Sequence, residues 1–273
     1  MTASGAGAAA DSAANSRPMG WLARIGLTAR GLVYLVIGWL AVLMGLGGQA
    51  NIDQRGALTE VLAQPYGGVM LGFLTIGFAA YALWRLSESA FGVTGRGKKA
   101  GPRLRSLARA IAYIAMAMTA WSLLQGASGT QAGQQGAIAS TVMQQTGGRW
   151  IVGLIGVIVV VAGLVLVREG WTTEFLRYFG ALPRRMRAPV IWLGRTGTVA
   201  RGIVFAVSGL LVVGAALTAD PAKAGGVDQA FQTLLEQPFG TGLVVLLGAG
   251  FVIFGLYGLA EAAWRRVTDG DGP

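Results

Sequence analysis

Arg24 and Arg30 stand six residues apart at the head of a long apolar run, in the stretch WLARIGLTARG (Trp21 to Gly31). The motif returns as WLGRTGTVARG, with Arg195 and Arg201, and in blurred form as RLRSLARA, with Arg103 and Arg109. At the far end of the apolar run that follows each copy comes a glutamate: Glu88, Glu169 and Glu261. A carboxylate near hydrocarbon is costly without a partner. The set therefore offers ion pairs, a protonation site, or a guanidinium fork for a phosphate headgroup. The arginines outnumber the glutamates, which favours a phosphate over simple pairing where the set does more than staple the structure.

The elements that carry these residues are apolar blocks without ionisable side chains, at about 31–48, 67–84, 110–126, 150–167, 202–219 and 239–260. Each is about the 20 residues needed to cross the roughly 30 Å hydrocarbon core of a bilayer. Of the 273 residues 53% are hydrophobic and 12% charged, half the charge of an ordinary soluble domain. The 44 glycines suit close helix packing in lipid. A soluble fold would have to bury six such helices completely.

With no cysteine and no histidine, disulfides, thiolate nucleophiles, haem and the usual zinc sites are excluded, and the commonest general base is missing. No cofactor and no metal is expected, and no enzyme active site is visible. The net charge of +10 does not point to nucleic acid, because 19 of the 22 Lys and Arg flank the blocks on one side. Only Arg55, Arg149 and Lys223 lie on the other. This positive-inside pattern predicts a multi-pass protein of the bacterial plasma membrane with both termini cytoplasmic. Its basic rim is suited to anionic headgroups, or to a membrane protein partner. The excess of arginine over lysine, with abundant alanine and glycine, suits a GC-rich bacterial genome. Residues 1–20 read as a disordered tail, and the first block as an uncleaved signal anchor.

Shifting the chain by about 80 residues lays Arg24, Arg30 and Tyr34 on Arg103, Arg109 and Tyr113. Shifting it by 171–175 lays Trp21, Arg24, Arg30 and Gly31 on Trp192, Arg195, Arg201 and Gly202. Asp53-Gln54 then falls on Asp228-Gln229, and Gln64-Pro65-Tyr66-Gly67 on Gln237-Pro238-Phe239-Gly240. The unit is an arginine-bearing head, a span, an outer loop with a short amphipathic piece, a Pro-x-Gly turn, a second span and a glutamate. Units fall at 21–95, 96–180 (divergent, lacking the Asp and the Pro) and 181–267, with a tail at 268–273. Two spans per unit give all three the same orientation. The expected fold is an all-α membrane protein: six transmembrane helices as three tandem two-helix repeats in a pseudo-threefold bundle.

Within this plan Gly31, Gly38 and Gly45, and Gly202 and Gly209, recur every seven residues on one helix face, where close backbone packing is expected. Trp21, Arg24, Arg103, Trp192 and Arg195 are expected as interfacial anchors, the arginines snorkelling. The hairpins predict an Arg–Glu pair within each unit, Arg30–Glu88, Arg109–Glu169 and Arg201–Glu261, or pairs between neighbouring units. The span centres offer only Thr75, Thr119, Ser122 and Ser208 as polar groups. Ion-coupled transport normally needs intramembrane charge. Two lookalikes are set aside. GVTGRGKK (92–99) nearly fits a P-loop but has Lys99 in place of the hydroxyl and no strand before it. Asp53, Glu60, Asp228 and Glu236 lie on short amphipathic pieces where capping is the expected role.

The R-x-G-x-x-A-R-G-x-x-Y head, the D-Q-x-x-A and Pro-x-Gly loop and the six-span plan resemble a bacterial family of integral membrane proteins, domain of unknown function 1206, usually present in three tandem copies. The resemblance covers about residues 20–265. It implies the fold plan and brings no catalytic residue, substrate or partner. The reading is a structural or regulatory membrane component engaging anionic lipid or a protein partner. The alternative is a channel or small-solute pathway along the bundle axis.

Overall fold

The computed structural model describes residues 17–48, 51–91, 100–180 and 182–265. The 92–99 motif and the tail at 268–273 lie outside them, as does the tail at 1–20 up to residue 16. Six helices are long and apolar enough to cross a membrane. They are α1 (Arg17–Gly45), α3 (Gly67–Phe91), α4 (Ala100–Leu124), α6 (Gly148–Thr172), α7 (Arg184–Thr218) and α9 (Gly240–Trp264). Three short helices sit in the outer loops, α2 (Gln54–Ala63), α5 (Gln131–Met143) and α8 (Val227–Leu235). The chain is thus all-α, with two spans and one short helix per unit.

The spans overrun the apolar blocks at the arginine-rich end, called here the basic end. Helix α1 starts at Arg17 and α7 at Arg184, so the arginine motifs are themselves helical. Arginine is a good helix former, and a charge ends hydrophobicity without ending a helix. At the opposite end the turn before each second span is written the same way three times. Tyr66, Gly147 and Phe239 adopt left-handed backbone at φ 63°, 76° and 62°. The next residue is Gly67, Gly148 or Gly240, where a Cβ would run into the carbonyl of Leu62, Val142 or Leu235. The Pro-x-Gly glycine is therefore demanded by close approach.

The most extensive interfaces join different units: α6 with α7, α9 with α1, and α3 with α4. The within-unit pairs α7–α9 and α1–α3 are smaller, and α4 and α6 of the middle unit share no substantial interface among the described residues. The helices follow one another as α1, α3, α4, α6, α7, α9 and close back on α1, leaving the ring open between α4 and α6. The glycine faces serve the seams between units. Gly38 and Gly31 of α1 lie against Gly248 and Gly255 of α9, and a Cβ at Gly255 would stand 2.7 Å from the Leu35 backbone nitrogen. Gly202 and Gly209 of α7 interlock with Gly163 and Gly156 of α6, and a Cβ at Gly209 would stand 2.5 Å from the Val160 nitrogen. Gly45 meets Val245. The third seam, α3–α4, uses Ala110 and Ala120, both fully buried.

At the outer end Asp53 caps α2, accepting from the Gly56 amide at 2.7 Å. Asp228 departs from the capping expectation. It lies inside the first turn of α8 and accepts from the Ile52 amide at 2.6 Å and from Gln232 at 2.7 Å, tying α8 to the start of α2. Burial pushes both carboxyls above their ordinary range, and at Asp53 the neighbouring Asp228 adds to the rise. Glu60 accepts from Gln64, and Glu236 is the C-cap residue of α8. Arg55 is buried and donates to the carbonyls of Ala127, Ser128 and Gly129, holding the loop before α5 against α2.

Candidate functional site at the basic end

The outer arginine of each head does one job three times. Arg24 donates to the carbonyls of Ala262 and Ala263 at 2.8 Å each, at the end of α9. Arg103 donates to Ser89 and Ala90 at 2.6 and 3.0 Å, at the end of α3. Arg195 donates to Trp171 at 2.9 Å, at the end of α6. In every case the capped helix is the second span of the preceding unit, with unit three preceding unit one around the ring. The snorkelling expectation did not include this contact. The last carbonyls of a helix have no partner of their own and carry its negative dipole end, so a guanidinium fits there better than in water alone. Trp21 and Trp192 remain 68% and 59% exposed on the outside of the bundle. On the opposite side Arg149 does the same for α7, donating to Ala216 and Leu217 at 3.0 Å.

The inner arginine points to the middle of the bundle. Arg30 pairs with Glu261, and Arg265 pairs with the same carboxylate at 2.8 Å. Glu88 accepts from Arg85 at 2.6 Å and from Ser106 at 2.9 Å. Arg85 also donates to the Tyr81 hydroxyl at 2.5 Å and stacks 4.2 Å over Trp84. Arg85, Tyr81 and Trp84 are almost wholly buried. Glu169 lies 3.7 Å from Arg177, and Arg168 pairs with Glu174. None of the three within-unit Arg–Glu pairs forms among the described residues.

Among the described residues one inner arginine reaches the glutamate of the preceding unit across the tight seam, Arg30 with Glu261. In the first unit Glu88 pairs with Arg85, three residues before it. The same place before Glu261 is Gly258, and Glu261 is shared by Arg30 and Arg265. In the second unit Glu169 lies beside Arg177. Arg109 and Arg201 are left with no carboxylate within ion-pair distance among the described residues. Arg201 lies instead among three rings, 5.2 Å from Tyr34, 4.9 Å from Phe205 and 5.0 Å from Phe254.

The result is a cluster of four arginines (Arg30, Arg85, Arg109, Arg265) with two glutamates (Glu88, Glu261), and Arg201 joins its edge at the Phe254 ring that Arg30 also contacts. A small pocket of about 20 Å³ opens beside it, lined by Arg85, Arg105, Arg109, Arg265, Ser106 and Tyr178. That volume holds a single water-sized group, on the order of one phosphate oxygen. Four guanidiniums around one small opening suit an oxyanion. Sequence reading missed Arg85, Arg265 and Tyr81, although Tyr81, Arg85 and Glu88 stand at i, i+4 and i+7 on one helix face. Among the described residues no three His, Cys, Asp or Glu gather as a metal site.

The comparisons agree with the architecture. The family model for Domain of Unknown Function (DUF1206) matches three times, at residues 25–92, 104–173 and 196–265. The chain is 28% identical over 254 residues, 90% of each chain, to the uncharacterized protein YxxB of Bacillus subtilis (strain 168). No solved structure matches. The three matches coincide with the three pairs of spans and take in every inner arginine and every glutamate of the cluster, and on that ground the chain belongs to the DUF1206 family.

Proposed function

We propose that this multi-pass protein is a structural or regulatory component of the bacterial plasma membrane that holds an anionic lipid headgroup at its basic end, by binding and not by catalysis. The observation that carries the reading is the four-arginine pocket, with Arg109 lacking a carboxylate among the described residues. A phosphate oxygen seated between Arg105 and Arg109 would offset the surplus positive charge. The gathering of 19 of the 22 cations at this end supports an orientation with both termini in the cytoplasm, where anionic headgroups are plentiful. A protein partner would have to bring its own acidic group to the same opening; a headgroup already lies at that depth. Rings of Tyr34, Tyr81, Tyr113 and Phe254 fill the core beside the cluster, which argues against an open axial pathway there.

The test is lipid retention. The protein is extracted from vesicles holding equal phosphatidylglycerol and phosphatidylcholine, and bound lipid is counted by native mass spectrometry. The expected result is selective retention of phosphatidylglycerol, reduced at least fivefold in an Arg105→Gln, Arg109→Gln double variant. Equal retention of both lipids, or selectivity unchanged in the variant, contradicts the reading. Orientation is tested by a cysteine added after Pro273, which has no native thiol to compete with it; labelling by a membrane-impermeant maleimide in intact cells would contradict the cytoplasmic placement.

A further inference from the structure

The small pocket beside the arginine cluster has a rim and a floor. Arg105 and Arg109, one turn apart on α4, stand at the rim, the first exposed and the second half-buried. The floor lies deeper: Arg85 is 1% exposed, Ser106 3% and Arg265 4%, and all three line the same opening. The floor guanidiniums keep donors in reserve. Arg85 donates from its two Nη atoms to Glu88 and Tyr81, and Arg265 donates from Nη1 to Glu261. The Nε of each is buried without a hydrogen-bond partner among the described residues.

The lining comes from four separate parts of the chain: α3, α4, the single-turn helix Glu174–Tyr178 that follows α6, and the end of α9. The last two are held together. The Arg265 guanidinium lies 4.7 Å over the Tyr178 ring, and the Gly180 amide donates to the Trp264 carbonyl at 3.0 Å. Walls from four elements leave room for one water-sized group, about 20 Å³.

Shape and charge then select among anions. A phosphodiester has a substituent on both sides of its phosphorus, so two bulky groups flank any oxygen that it offers. A phosphomonoester ends in three oxygens and enters a one-oxygen opening end-on. Arg30, Arg85, Arg105, Arg109 and Arg265 gather here against two carboxylates among the described residues, Glu88 and Glu261. Arg109 has the guanidiniums of Arg85 and Arg265 as charged neighbours. A phosphodiester brings one negative charge; a phosphomonoester brings about 1.5 to 2 near neutral pH, and more oxygens for the donors in reserve.

We propose that the pocket prefers a phosphomonoester, whose terminal phosphate reaches past Arg105 and Arg109 to Arg85 and Arg265, while phosphodiester headgroups stop at the rim. This rests on the headgroup reading above and narrows it to one class. Phosphatidic acid carries such a group in the membrane, and soluble phosphomonoesters carry it in water.

The test extracts the full chain from vesicles holding phosphatidic acid, phosphatidylmethanol, phosphatidylglycerol and phosphatidylcholine in equal amounts with the same chains, and counts retained lipid by native mass spectrometry. Phosphatidylmethanol is the sharpest probe, because one methyl on one oxygen turns the terminal phosphate into a diester. Phosphatidic acid is expected at least fivefold above phosphatidylmethanol and phosphatidylglycerol, which are expected to be alike. Ser106→Val keeps every arginine, narrows the floor and is expected to bring phosphatidic acid down to the level of the diesters. The wild-type series decides by itself, so the test does not depend on that variant folding. Retention of all three anionic lipids alike, each above phosphatidylcholine, overturns the proposal and leaves the headgroup reading standing. Retention of none above phosphatidylcholine overturns both. A preference unchanged in Ser106→Val overturns the placement in this pocket. Glycerol 3-phosphate, added in excess, separates the sources: displacement of phosphatidic acid supports the class with a soluble ligand and removes the lipid, and persistence of phosphatidic acid supports the class with the lipid as its carrier.

Discussion

Two arginines six residues apart do different work because a helix turns them to different neighbours. The outer one, Arg24, Arg103 or Arg195, meets the carbonyl end of the span before it in the ring; the inner one enters the buried cluster. Their energetics differ accordingly. Glu261 is 3% exposed and serves two guanidiniums, so Glu261→Gln leaves buried charge without a counter-charge. Removing one partner of a buried pair costs about 3–5 kcal/mol. Arg103→Gln removes a helix-end interaction worth ~1 kcal/mol or less. Unfolding in mixed micelles is expected to rank Glu261→Gln well below Arg103→Gln; equal loss would contradict the assignment. The existence of the two arginine sets and the glutamates was legible from the repeat. Their partners were not: the sequence left pairing within a unit and between neighbouring units both open, and the structure uses both, Arg30–Glu261 between units and Arg85–Glu88 and Arg265–Glu261 within one. The Arg85–Glu88 pair has no counterpart in the third unit, where Gly258 holds the equivalent place, a difference that spacing alone does not weigh.

At the scale of the helices, the seven-residue glycine spacing marks the seams correctly but leaves the partner unnamed. Gly38 faces the α9 backbone at Val252 and Gly248, while Gly72 of α3 has nothing within 4 Å of a Cβ. Gly38→Val is therefore expected to abolish monodisperse, folded protein in size-exclusion chromatography. Gly72→Ala is expected to be neutral or stabilising by up to ~1 kcal/mol, since alanine is the better helix former. The reverse order would refute the packing. The short helices add a pH dependence. Asp53 and Asp228 hold their protons more tightly folded than unfolded, because burial raises both. Stability from these groups is complete below the ordinary aspartate range and is lost as pH rises through their raised values. Melting temperature is expected to increase on acidification from neutrality toward pH ~4, and Asp228→Asn to flatten that increase. A profile that falls over this interval, or is unaffected by Asp228→Asn, contradicts it. Spans and short helices could be read from the sequence almost to their outer ends, where Pro-x-Gly turns stop them. At the basic end the apolar blocks stopped short, since charge was used as a boundary that helices do not respect.

At the scale of the molecule, three hairpins form a ring by gripping one another more than by gripping themselves. The seams α9–α1 and α6–α7 are glycine-interlocked, and the middle unit, whose sequence has drifted, is where the ring stays open. That divergence was visible in the sequence as missing Asp and Pro; its consequence, the gap between α4 and α6, was not, because periodicity fixes a helix face and not its neighbour. Closure of the third unit onto the first is the claim on which the arginine cluster, the capping scheme and the open seam all rest. The measurement that tests it most directly is a double-mutant cycle on Arg30→Gln and Glu261→Gln, with Arg30→Gln and Glu88→Gln as the comparison, read by equilibrium unfolding in detergent. The ring predicts a coupling of about 1.5 kcal/mol or more for Arg30–Glu261, within the 0.5–3 kcal/mol found for groups in contact. It predicts a distinctly smaller value for Arg30–Glu88. Additivity within ~0.5 kcal/mol for Arg30–Glu261, with coupling instead to Glu88, would return the pairing to the hairpin and contradict the ring.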